Sequence, residues 1–165
     1  MLLHDARREA RFQDGDLVLL ADQDPSLWDE AQIADGRTVL DRALALQGRG
    51  PYVIQAAIAS LHADEPRDWP QIAALYGELV RLTDSPVVEL SRAVAIAEAE
   101  GPQAGLEIVD RLALHDYRYL HSTRGELLSR LGRTGEARDE YIKALALVHD
   151  DAERRLIERH LSELG

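Results

Sequence analysis

The sequence predicts an all-α fold, a right-handed superhelix of about four degenerate helix pairs closed by a C-terminal capping helix. Three observations carry this. Arg42-Ala43-Leu44-Ala45-Leu46 and Lys143-Ala144-Leu145-Ala146-Leu147 are near-copies set 101 residues apart, which is three steps of about 34 residues. The apolar content of 45% rests on Ala and Leu, with aromatics at only 5%, and both Ala and Leu favour helix. Cap-plus-proline and glycine signals recur at short intervals, so successive helices are joined by short links.

Taken in order, Leu2 to Phe12 reads as a short helix ended by Asp14-Gly15-Asp16. Leu17 to Leu20 is an apolar run between turn residues, too short for a helix and therefore extended. Asp24-Pro25-Ser26 is a helix start, with Asp as N-cap and Pro at the first helical position. That helix runs to about Leu46 and is stopped at Gly48 and Gly50. After the turn Gly48-Arg49-Gly50-Pro51, a helix carries Val53, Ile54, Ala57, Ile58 and Leu61 on one face, until Glu65-Pro66-Arg67 breaks it.

Asp68 caps a helix over Trp69 to Leu82, with Ile72, Leu75, Tyr76 and Leu79 at helical spacing. Ser85-Pro86 starts Val87 to Glu100, and Gly101-Pro102 starts Gln103 to Leu114. Tyr117 to Leu131 is closed by Gly132. Thr134-Gly135-Glu136 begins Ala137 to Val148, and Asp150-Asp151 caps a last helix to Leu164. The last helix is charged at Glu153, Arg154, Arg155, Glu158 and Arg159, as a solvent-facing cap should be. Residues 1–24 are expected to be a helix and extended segment packed on the repeats, and residues 25–165 the repeats themselves, in a single structural domain overall.

The clearest repeat is the last. Gly125, Leu131, Gly132, Ala137, Tyr141, Ala144 and Leu145 sit at tetratricopeptide spacings, the small residues letting paired helices approach closely. Gly36, Leu40, Ala43 and Leu44 mark an earlier second helix, and Ala73, Tyr76, Leu79 and Ser85-Pro86 another. Gly101, Gly105 and Leu106 mark a third with a shortened step. Such a stack is a recognition scaffold with a groove.

Composition narrows the function further. A net charge of −11 argues against direct nucleic-acid binding, which needs clustered cations to neutralise phosphate, and with Lys143 the single lysine no Schiff-base or P-loop lysine is expected. The absence of Cys excludes thiolate chemistry and Cys-based metal sites. The six histidines form no i, i+4 or His-Glu-x-x-His pair; His115-Asp116 and His149-Asp150-Asp151 read as helix-end residues. No Gly-x-x-x-x-Gly-Lys loop or nucleophile elbow occurs, and the carboxylates read as solvated faces beside Arg. No enzymatic activity and no cofactor are expected. No apolar run approaches the roughly 20 residues of a membrane span, and Met1 to Arg8 carries charge where a signal peptide needs apolar residues. A cytoplasmic location and a start inside a longer polypeptide are expected.

Polar residues interrupt the apolar first helices of the pairs. Gln55 and His62 share a face, Arg92 sits among Ala93-Val94-Ala95, and His121 and Arg124 are three apart. They either line a concave groove that binds an acidic or extended peptide or satisfy one another inside the superhelix.

Several segments together resemble a named group. Leu3-His4-Asp5-Ala6-Arg7-Arg8-x-Ala10-Arg11 precedes Leu19-Leu20-x-Asp22-Gln23-Asp24-x-Ser26-x-Trp28-Asp29. Gly50-Pro51-Tyr52-x-x-Gln55-Ala56-Ala57-Ile58-Ala59, Ser85-Pro86-Val87-Val88, Arg92-Ala93-Val94-Ala95 and Arg130-Leu131-Gly132-Arg133 follow. This order resembles the tetratricopeptide-like C-terminal extension of a subgroup of bacterial extracytoplasmic-function RNA polymerase sigma factors. The resemblance spans essentially the whole chain. It departs at Pro25, where that group usually has Arg, and no segment resembles the regions that read promoter DNA.

The resemblance implies a protein-interaction domain that modulates transcription initiation performed by sigma regions upstream. Its partners would be those DNA-binding regions in cis, the RNA polymerase core, or both. Arg7, Arg8, Asp22, Gln23, Asp24 and Trp28 would then form an interdomain docking surface. Asp22-Gln23-Asp24 also reads simply as a helix cap, and Trp28 as a packing anchor. The alternatives are a free-standing tetratricopeptide adaptor for an extended peptide and a small-molecule sensor, the latter needing an enclosed pocket.

Overall fold

A computed structural model describes residues 2–13, 15–20, 22–48 and 50–165. The expected break at Asp14 and the turn residue Arg49 lie outside the described residues. The fold is all-α, built of successive helix pairs; among the described residues the only strands are β1 (Phe12–Gln13) and β2 (Asp16–Leu17), paired antiparallel with Phe12 opposite Leu17. By compactness the chain divides into two units, residues 1–84 and 85–165.

The first unit contains α1 (Leu2–Asp5), α2 (Glu30–Ala45), α3 (Pro51–Leu61) and α4 (Trp69–Thr83). The helix expected over Leu2 to Phe12 is interrupted after Asp5, and a single 3₁₀ turn covers Glu9–Arg11. Tertiary bonding wins over local propensity here. Ala6, Arg7 and Ala10 turn into the core, and the Ala6 carbonyl accepts the Asp29 N–H at 2.8 Å.

The helix expected from Pro25 also divides. Asp24 caps one 3₁₀ turn, Pro25–Leu27, by accepting the Ser26 N–H at 2.8 Å. Trp28 is then extended, with φ −84° and ψ 139°, and its ring is buried. Asp29 caps α2 instead, accepting the Gln32 N–H at 2.9 Å. At Gly36 a β-carbon would lie 2.7 Å from Leu3 Cγ, so α1 packs on α2 only because that position has no side chain.

Leu3, Ala6, Ala10, Trp28, Ile33 and Ala59 form one buried cluster, so the N-terminal segment is part of this core. Arg37 ties α2 to α3, its Nη2 donating to Asp64 Oδ1 at 2.6 Å and its Nε to Ser60 Oγ at 3.2 Å. Asp68 caps α4 through the Gln71 N–H at 3.0 Å, as the sequence predicts.

The second unit contains α5 (Pro86–Glu100), α6 (Pro102–Val109), α7 (Arg118–Arg130), α8 (Thr134–Leu147) and α9 (Asp151–Glu163). Helix α5 pairs with α6, α7 with α8, and α9 covers α8. Their core gathers Leu90, Leu106, Leu120, Leu128, Tyr141 and Ile157. Tyr141, 1% exposed, lies flat on α7 at Gly125, where a β-carbon would come within 2.8 Å of its Cε1. Gly132 closes α7 with φ 73°, the Arg133 N–H returning to the Leu128 carbonyl at 2.9 Å.

Helix α6 stops at Val109 and does not reach Leu114. Residues 110–117 are committed to α7 instead: Asp110 pairs with Arg124 at 2.9 Å, and the His115 carbonyl accepts from His121 Nε2 at 2.8 Å.

Candidate interaction sites

In the first unit the sequence-predicted docking residues split into two sets. Arg7 and Trp28 face inward at 6% and 8% exposure, with the Arg7 guanidinium carbon 5.9 Å from the Trp28 ring centroid. Arg8, Asp22 and Asp24 face solvent; Arg8 bonds Asp5 on its own segment. Gln23 is half-buried and donates to the Val18 carbonyl at 3.3 Å. The segment between them is clamped: Arg67 reaches from the α3–α4 link to the Leu20 carbonyl at 3.3 Å and the His62 carbonyl at 3.4 Å. This side chain was not singled out in the sequence, where it reads as a helix breaker's neighbour.

The inward set carries uncompensated polarity. Arg7 Nε, Trp28 Nε1, Gln23 Oε1 and His62 Nδ1 are buried without a hydrogen-bond partner among the described residues. His62, at the end of α3, meets Trp69 edge to face with centroids 5.7 Å apart. Burial, reinforced by the positive charges of Arg7, Arg67 and His4, lowers its pKa to about 4. The ring is therefore neutral near pH 7. Gln55, expected to share a face with it, is exposed on α3.

In the second unit His121 and Arg124 do come together, on a residue the sequence left among the solvated carboxylates. Glu140 of α8 is 4% exposed. It accepts from His121 Nδ1 at 2.7 Å, Lys143 Nζ at 2.7 Å and Arg124 Nη1 at 3.3 Å. Burial pushes its carboxyl pKa up, but the hydrogen bonds from His121 and Lys143 and the charges of Lys143 and Arg124 outweigh that and hold it below its usual value. Both ring nitrogens of His121 face acceptors, Glu140 and the His115 carbonyl.

The expectation of uniformly solvated carboxylates is thus corrected at Glu140. It is corrected again at Glu153, which accepts from Arg118 Nε at 2.6 Å and from the Tyr119 hydroxyl at 2.6 Å. Spacing alone held one clue: Glu140 directly precedes Tyr141 and stands four residues before Ala144, both core positions. Arg92 of α5 is half-buried and pairs with Glu89 of the same helix at 2.8 Å. Among the described residues no group of three or more His, Asp or Glu is arranged to hold a metal ion. No described helix is long and apolar enough to cross a membrane.

Comparison with known proteins adds two likenesses. A family of unknown function (DUF6596) matches residues 1–44, a stretch that runs through α1, the Trp28 turn and nearly all of α2. An uncharacterized protein of Rhizobium meliloti (strain 1021) is 44% identical over 172 residues, an alignment covering 100% of this chain and 41% of that protein. The chain therefore spans about two-fifths of the length of that relative. No solved structure matches.

Proposed function

We propose that this chain is the C-terminal regulatory domain of an extracytoplasmic-function RNA polymerase sigma factor, acting through protein contacts on initiation carried out by sigma regions elsewhere in the polypeptide. The observation that carries the reading is the construction of residues 2–29. They are not a repeat and not a loose leader, but a segment tied together by the buried Arg7–Trp28 pair and the Ala6–Asp29 hydrogen bond, packed on α2 and α3 through the core it shares with Ile33 and Ala59, and held at the Leu20 carbonyl by Arg67. Arg8, Asp22 and Asp24 are left at the surface on that rigid base. A preordered patch binds a partner without the entropic cost of ordering it.

Two further points support it. The resemblance runs through the whole chain in one order, and the Rhizobium relative extends well past the aligned part, with room for two small DNA-reading regions. The net charge of −11 disfavours phosphate contact by this domain and so supports a role in protein contacts.

The test is run-off transcription by core polymerase with the full-length protein and with the same protein lacking residues 1–165. Loss of transcript makes the domain a required part of the factor, and a gain makes it an autoinhibitor. An unchanged transcript overturns regulation in cis.

A further inference from the structure

The inward face of the N-terminal segment has a feature that docking does not use. Arg7 is buried, and that burial, followed by the like charges of Arg11 and Arg67, disfavours its charged form. Asp5 pairs with Arg8 and Glu65 with Arg67 at 2.7 Å, and Arg7 has no carboxylate partner among the described residues. Arg7 Nε and Trp28 Nε1 are both donors only, both buried, and both without a partner among the described residues. A buried guanidinium held among like charges is costly unless an anion meets it.

We propose that the first unit binds a small oxyanion, a phosphate or carboxylate group, between α1, the Pro25–Trp28 turn and the end of α3, accepting hydrogen bonds from Arg7 Nε and Trp28 Nε1. Water would satisfy the two N–H groups but would leave the buried charge of Arg7 without a counterion; an anion answers both needs. His62, neutral at the edge of the cluster, supplies Nδ1 as a donor to the ion in the tautomer that carries its proton there. His62 and Arg11, at the edge of the cluster, are half-buried.

Isothermal titration of the full-length protein with sodium phosphate, and separately with sodium acetate at constant ionic strength, tests this. Saturable heat with either anion is expected, phosphate marking a tetrahedral site and acetate a planar one. Trp28→Phe keeps an aromatic ring while removing the N–H with the rest of the indole, and in protein that circular dichroism shows to be folded should weaken binding roughly fivefold to tenfold, the loss of one hydrogen bond. Arg7→Met should abolish it. Should Arg7→Met fail to fold, the Trp28→Phe comparison alone decides. No saturable heat with either anion, or unchanged affinity in Trp28→Phe, overturns the site. Neither result bears on transcription, so this proposal and the regulatory one fail separately.

Discussion

Replacing Glu140 by Leu tests whether the second unit is held by a buried electrostatic hub. In the native fold the carboxylate is 4% exposed and gathers His121, Lys143 and Arg124. Removing one member of a buried charge network leaves its partners uncompensated, which costs about 3–5 kcal/mol. Lys143 and Arg124 are more than a third exposed at the side chain and can turn to water, so the lower end, about 3 kcal/mol, applies. For a chain of this length that lowers Tm by roughly 6–12 °C. Glu140→Gln keeps the shape and one acceptor, and should lose less, about 1–2 kcal/mol.

Urea unfolding followed by circular dichroism at pH 7 measures both variants. The acid limb gives an independent check. The folded Glu140 carboxyl titrates below its unfolded value, so its stabilisation is present above the ordinary Glu range near 4.3 and is lost as pH falls through the folded pKa. Glu140→Leu should therefore lose that part of the acid dependence. If Glu140→Leu stays within about 0.5 kcal/mol of the native protein, the hub is a surface ornament and the reasoning fails.

Three other outcomes follow from the same geometry. His62 titrates near 4 in the fold against about 6.5 unfolded. Protons bind the unfolded ring first, so stability should fall between about pH 6.5 and pH 4, by about 2 kcal/mol once partial exposure of the ring is allowed for; His62→Gln should remove this component in matched urea titrations. Gly125→Ala drives a β-carbon to 2.8 Å from the buried Tyr141 ring and should cost about 1–3 kcal/mol, whereas Gly135→Ala meets open space and should stabilise by up to about 1 kcal/mol; thermal unfolding separates the two. Asp22→Ala with Arg8→Ala should leave Tm within about 2 °C yet change run-off transcript several-fold, and an unchanged transcript removes these side chains from the docking patch.

Most helices of the second half were legible because their start signals are local. Ser85-Pro86, Gly101-Pro102 and Asp150 each begin the helix the sequence assigns to them, and Gly125 with Tyr141 meets as the repeat spacing requires. The errors fall where a distant group decides. Nothing within Leu2 to Phe12 announces a stop at Asp5; the stop comes from Asp29, whose N–H takes the Ala6 carbonyl. Helix α6 ends at Val109 because Asp110 and His115 serve α7. One missed boundary was readable: Asp29 followed three residues later by Gln32 is a capping pattern, overlooked because Asp24-Pro25 offers a stronger one just ahead of it. Glu140 was misread for a different reason, since a carboxylate looks solvated until its cationic partners are placed around it.

The division of one sequence block into inward and outward residues also decides how its function is to be probed. Arg7 and Trp28 support the fold of the first unit, so truncating either to Ala will lower any activity of the domain through lost stability. Such a loss says nothing about docking. Asp22 and Arg8 lie on the same segment but bury little, and among the described residues Arg8 pairs with exposed Asp5, an interaction worth little at the surface. A transcriptional change from these two, at constant stability, can come only from what they meet outside this fold. The adjacent Asp24 is the poorer probe despite its exposure, because its carboxylate caps the Pro25–Leu27 turn that sets Trp28 in place, and its removal perturbs both faces together.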